Sequence, residues 1–168
     1  MEKIVPFLWF DDRAEEAANF YVSVFAGRGR SGGETKVVAV TRYGAAGAQA
    51  AGRPEGSVMT VTFLLEGQEF TALNGGPEFP FTEAVSLMVP CESQDEVDEL
   101  WDKLSAGGEQ GPCGWLKDRY GLSWQIAPTA LFEMLQDEDP ARRERVMAAM
   151  LQMKKIDIEG LQQAYDEG

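Results

Sequence analysis

Histidine does not occur anywhere in the 168-residue chain. That absence removes imidazole as a general acid or base, as the activator of a serine or cysteine nucleophile, and as a metal ligand. Any chemistry must rest on carboxylates, amides, hydroxyls, thiols or a bound cofactor. Cysteine is scarce as well: Cys91 and Cys113 are the only two, with neither metal-type spacing nor a disulfide framework. Free thiols and a cytoplasmic setting are the expectation. Basic residues are few, 15 against 28 acidic, for a net charge of −13. Such a chain offers no clustered Lys and Arg to nucleic acid and is disfavoured at an anionic membrane surface. Its acidic residues fall in helix-like stretches and read as solvated faces. No apolar run is long enough to span a bilayer. The start, "MEKIVPFLWFDDR", lacks the basic, apolar and small-residue parts of a signal peptide.

What is present is a pattern that runs twice. "KIVPFLWF" (3–10) reads as a strand, with Asp11 or Asp12 expected to cap the helix "AEEAANFYVSVF" (14–25). In that helix Ala14, Ala17, Ala18, Tyr21 and Phe25 fall on one stripe. "GRGRSGG" (27–33) reads as a turn, "ETKVVAVTRYG" (34–44) as a strand, and "AAGAQAAGRPEGS" (45–57) as a loop. Strands follow over 58–67 and 68–76, and "GGPEFPF" (75–81) reads as a linker. Then "EAVSLMVPC" (83–91) begins a second strand–helix–strands series. Its helix (93–108) opens on Ser93 with Glu96 at capping-box spacing and carries Val97, Leu100, Trp101 and Leu104 as its stripe. "CGWLKDRYG" (113–121) and "LSWQIAP" (122–128) read as a closing hairpin. Residues 129–168 read as helical, with Asp139-Pro140 starting one helix and Val146, Met147, Met150, Leu151 and Met153 forming an apolar face for core packing or a dimer contact.

The economical reading is an α+β protein with a duplicated βαβββ unit: residues 1–76, 77–128, and a C-terminal helical extension over 129–168, all in one compact domain. Each unit makes a short sheet with one apolar face, and a concave mixed sheet would leave a groove for a ligand. Alternation along "SWQIAP" places Trp124 and Ile126 on one face and Ser123, Gln125 and Ala127 on the other. If the second face lines the groove, Gln125 can donate and accept hydrogen bonds there. Trp9, Phe63, Asn74, Ser86 and Trp115 are the candidate co-liners. Cys113 reads as a structural or exposed thiol, and the acidic pairs Asp11-Asp12 and Glu15-Glu16 as partners of a helix dipole.

The segments "FLWFDDRAEEAANFY", "LNGGPEFPFTEAVS", "DEVDELWDKL" and "CGWLKDRYGLSWQIAP" together resemble the PhnB-like branch of the vicinal-oxygen-chelate (glyoxalase/bleomycin resistance/dioxygenase) superfamily. The resemblance covers roughly residues 4–153. It implies paired βαβββ modules and a homodimer, and it brings the label demethylubiquinone 3-methyltransferase. It also implies four metal-ligand positions, which fall near Val5 or Pro6, at Asn74, near Ser86 and at Gln125. Amides and a hydroxyl without an anionic partner make a poor cage for Zn²⁺ or Fe²⁺, so no metal and no cofactor are expected. Methyl transfer is not expected either, because no glycine-rich loop links a parallel strand to a helix in the way nucleotide-type cofactors need. The leading expectation is a metal-independent small-molecule binding protein, of a sequestering kind. The alternative is a lyase, isomerase or dioxygenase-type enzyme with unusual oxygen ligands, and a third reading makes the methionine-rich tail an interaction module.

Overall fold

The stripe Ala14, Ala17, Ala18, Tyr21 and Phe25 does become the buried face of a helix. In the computed structural model, which describes residues 3–28 and 32–167, helix α1 runs Ala14–Phe25 and buries these side chains together with Val24. Three alanines let the helix approach its sheet closely, and the Tyr21 ring stacks on Phe63 with centroids 6.1 Å apart. Neither Asp11 nor Asp12 caps α1. The Oδ1 of Asn74 accepts from the backbone N–H of Ala14 at 2.8 Å, so the cap arrives from a distant strand.

Four strands make the first sheet: β1 (Phe7–Phe10), β2 (Lys36–Arg42), β3 (Val58–Leu65) and β4 (Gln68–Asn74), in the order β1-β4-β3-β2. β1 and β4 are parallel, and the other pairs are antiparallel. β1 starts at Phe7 because Pro6 has no N–H to give a ladder. Of the expected turn at 27–33, residues 29–31 lie outside the described residues. The stretch read as a loop at 45–57 contains helix α2 (Ala45–Ala51), where alanine's helix propensity outweighs the glycine at 47, and Gly52 ends it at φ 63°. The expected linker packs down: Phe79 meets the Trp9 ring edge-on at 4.9 Å and Phe81 meets Phe10 at 5.1 Å.

The second series repeats the topology. β5 (Ser86–Cys91), β6 (Glu109–Gln110), β7 (Trp115–Lys117) and β8 (Ser123–Pro128) are ordered β5-β8-β7-β6, with β5 parallel to β8. β6, with two residues, was too short to show any periodicity. Helix α3 (Gln94–Ser105) buries Val97, Leu100, Trp101 and Leu104 completely or nearly so, contributing on the order of 2 kcal/mol each. Ser93 Oγ accepts from Glu96 N–H as a capping box requires, while the Glu96 carboxylate reaches back to the N–H of Glu92 rather than of Ser93.

The tail is three helices, α4 (Thr129–Leu135), α5 (Pro140–Met150) and α6 (Ile158–Asp166), around a core of Leu131, Met134, Val146, Ile156 and Leu161. Met150 and Met153 pack on that core, and Asp139 caps α5 through Ala141 N–H, as the sequence predicts. Leu151, expected on the same face, is exposed. The chain divides into two compact units, Met1–Phe81 and Thr82–Gly168, and the tail belongs to the second. Among the described residues no helix is long and apolar enough to cross a membrane.

Candidate ligand site

In the second sheet the register sets which side chains share a face. Ser86 and Lys117 both pair with Ser123, Met88 and Trp115 both pair with Gln125, and Glu109 pairs with Lys117. Paired residues point the same way, so Ser86, Trp115, Lys117, Ser123 and Gln125 lie on one face. Leu116, Trp124 and Ile126 occupy the other, buried on the side that carries α3. The amide that interrupts the apolar β8 strand is therefore not in the core. Its Nε2 donates to Ser86 Oγ at 2.8 Å. The serine keeps its own O–H to donate, and the amide keeps its carbonyl oxygen as an acceptor.

The turn that aims β8 is built on Asp118, a carboxylate only 2% exposed. Its Oδ1 accepts from the N–H groups of Tyr120 and Leu122, at 2.8 and 3.1 Å, and its Oδ2 from Trp124 Nε1 at 2.9 Å. This fixes the reversal after Lys117 and orients the indole inward. Above the open face lies a cavity of about 420 Å³, bordered by Glu83, Glu109, Pro112, Trp115, Lys117 and Ser123. At its edge Lys117 Nζ contacts Glu83 Oε1 at 2.5 Å. The hydrogen bond from Lys117 holds the Glu83 carboxyl below its ordinary pKa, and the same bond, aided by the charges of Glu83 and Glu109, raises Lys117.

Cys113 borders the cavity, and it and the adjoining Gly114 are in left-handed conformation, with φ of 57° and 81°. Their N–H groups are held by the carbonyls of Met153 and Lys154 at 2.8 and 2.7 Å. A side chain at Gly114 would put a β-carbon 2.7 Å from the Ile126 carbonyl oxygen, so only glycine fits.

The first unit divides the remaining candidates. Trp9 is half-buried on the face away from α1, with Nε1 donating to Gly76 O at 2.8 Å. Its indole lies directly on Gly75, where any β-carbon would collide with it. Phe63 and Asn74 belong to the opposite face. Phe63 is fully buried, stacked between Tyr21 and Phe70. Asn74 is 4% exposed, and both ends of its amide are engaged: Oδ1 caps α1, and Nδ2 donates to Val58 O at 3.2 Å. Both are structural here, because strand parity turned them under the helix. Glu83, Lys117 and Ser123 were not singled out in the sequence. Alternation had put Ser123 on the right face, but nothing local ties Glu83 to Lys117.

The donor set does not fit a divalent cation. Of the positions that superfamily kinship implies, Asn74 is engaged in its own unit, and Ser86 and Gln125 are neutral groups bonded to each other. Val5 and Pro6 have no donor side chain. Among the described residues there is no cluster of three or more His, Cys, Asp or Glu side chains suited to a metal. Tight sites for hard or borderline cations include at least one anionic oxygen, imidazole or thiolate, and these positions supply none.

The 3-demethylubiquinone-9 3-methyltransferase family model matches residues 2–127, ending one residue before β8 does. A PhnB protein from Bacillus cereus, which carries that methyltransferase name provisionally, is 36% identical over 76% of this chain and 100% of its own, with a TM-score of 0.62. The protein PA1353 from Pseudomonas aeruginosa is 20% identical over 76% of this chain and 98% of its own, with a TM-score of 0.58. The fosfomycin resistance protein FosX from Listeria monocytogenes shares the fold at 15% identity and a TM-score of 0.52, covering 79% of this chain and 97% of its own. No curated protein matches the chain. With three quarters of its length matched to one family model and its two βαβββ units in place, the chain belongs to the PhnB-like 3-demethylubiquinone-9 3-methyltransferase family of the vicinal-oxygen-chelate superfamily.

Proposed function

We propose that the protein binds a small organic molecule on the open face of its second unit, without a resident divalent metal. The observation that carries this reading is the Gln125–Ser86 pair at 2.8 Å on the face whose Trp115, Lys117 and Ser123 border a cavity of about 420 Å³; the pair itself lies outside the cavity lining. An aromatic wall with a few directed polar groups, around a space of that size, suits a partly apolar small molecule. Trp9 remains a proposed ligand contact in the first unit. The family name denotes methyl transfer, which this reading does not adopt. The turns that carry the parallel strands β1 and β5 into helices consist of Asp11, Asp12 and Arg13, and of Glu92 and Ser93, with no glycine to bring backbone against a phosphate. The reading takes a second copy of the chain as partner. It also places the protein in the cytoplasm, in keeping with neither Cys91 nor Cys113 forming a disulfide.

Elemental analysis of the purified protein by mass spectrometry tests the metal part directly. We expect well under one transition metal per chain. About one per chain, lost in Gln125→Ala, would overturn the reading in favour of a metal-dependent enzyme of the same superfamily.

A further inference from the structure

We infer that Ser123 is the polar anchor of a subsite for small, uncharged aromatic molecules, in the cavity bordered by β6, β7 and the 111–113 wall. The inference rests on the small-molecule function proposed above and names its ligand class. Ser123 is 1% exposed, and among the described residues its Oγ has no hydrogen-bond partner. Buried hydroxyls in native proteins are nearly always partnered, since leaving one unmade costs on the order of 1–3 kcal/mol. Leu122 before Ser123 and Trp124, Ile126 and Ala127 after it are buried and apolar. Alanine would fill the position without that cost, so a serine there calls for a partner from outside the chain. The hydroxyl lies on the face it shares with Trp115 and Lys117, and all three border the cavity.

The walls define what that partner is. The Trp115 indole, Pro112 and the backbone of Gly111 are flat and largely apolar, which suits a ring. The charges are Lys117 against Glu83 and Glu109, one positive and two negative, for a local sum of −1. Lys117 is already bonded to Glu83. An anion entering here must displace the Glu83 carboxylate and approach that of Glu109, so carboxylates and phosphonates are disfavoured. An uncharged ring bearing an amide or hydroxyl disturbs neither pair and, with a small yielding of the wall over the buried Oγ, meets a serine that can donate or accept.

The test is titration of the ¹⁵N-labelled full chain with benzamide and, separately, with benzoate, following backbone amides by NMR. Benzamide should shift residues 111–117 and 122–125, and benzoate should require about tenfold more ligand. Ser123→Ala should weaken benzamide about fivefold, the worth of one neutral hydrogen bond, while thermal stability holds or rises. Ser123→Cys, similar in size and a poor hydrogen-bonding group, should follow Ala. Glu83→Gln should release Lys117 and narrow the gap between the two probes. Unchanged benzamide affinity in Ser123→Ala, or equal affinity of the wild type for both probes, would overturn the inference. Shifts confined to Ser86, Met88 and Gln125 and indifferent to Ser123→Ala would overturn the subsite alone. No shift anywhere in the second unit would overturn the open-face reading with it.

Discussion

Asp118 and Asn74 show how single polar side chains hold the frame of the site. Three N–H donors converge on the Asp118 carboxylate, so Asp118→Ala strands two backbone groups and an indole together. We expect a loss of about 3 kcal/mol, read in thermal unfolding as a fall of roughly 6–12 °C for a chain of this size. Asp118→Asn, which keeps one acceptor oxygen, should lose less. Asn74→Ala removes the cap of α1 and the partner of Val58 O. It should cost about 2 kcal/mol in denaturant unfolding and leave benzamide affinity unchanged, since the side chain lies under the helix. Ser123, Gln125 and their opposites Trp124 and Ile126 were legible because "SWQIAP" alternates cleanly. Asn74 was not. A polar residue at the end of a strand suits a ligand pocket and a helix cap equally well, and the N–H it caps is 60 residues away.

Among the elements, the two long amphipathic helices declared themselves by their stripes, because a 3.6-residue period over twelve positions has few other readings. α2 and β6 did not. One hid in a run of small residues punctuated by glycine, and the other is two residues long. The tail's helical character was plain, whereas its attachment depends on contacts distant in sequence. Gln94 at the start of α3 donates to Ile156 O at 3.0 Å and accepts from Ile158 N–H at 2.9 Å, and Lys155 meets Asp98 at 2.8 Å. The hydrogen bond from Lys155, then that from Gln94, lowers the Asp98 pKa. The bond to Asp98 raises Lys155, with the charges of Asp98, Asp102 and Asp157 in support. A carboxylate with a lowered pKa contributes above its unfolded value, and that contribution is lost as pH falls through the folded one. The raised lysine contributes below its unfolded value, and that contribution is lost as pH rises through the folded one. The link is therefore intact at neutral pH and released in acid. Both side chains are about two-fifths exposed, so solvent and salt keep the effect small. Amide exchange in α6, taken relative to the intrinsic rate at each pH, should quicken modestly on acidification in the wild type. It should already be faster at neutral pH in Asp98→Asn and in Gln94→Ala, with the β8 amides unchanged.

At the scale of the molecule, β1 and β5 each lie at the edge of their own sheet and expose apolar side chains. Ile4 and Phe7 are 93% and 61% exposed in the first unit, and Val85 and Met88 are 68% and 51% exposed in the second. Uncovered edges of this kind invite pairing with another chain, which motivates the proposed homodimer. Light scattering should give about twice the 18.5 kDa chain mass, and Phe7→Asp should return it to one copy. A monomeric wild type would remove the dimer from the reading. The family match ends at residue 127, yet the left-handed bend of Cys113, which borders the cavity, and Gly114 is held by carbonyls of Met153 and Lys154. During synthesis the second sheet is complete at Pro128, 26 residues before Lys154 arrives to pin the bend. A chain still attached to the ribosome, or one terminated just after β8, would carry both sheets and every family motif while its cavity stood open on one side. On the proposed function, competence to hold a ligand thus waits on residues that lie beyond the family match.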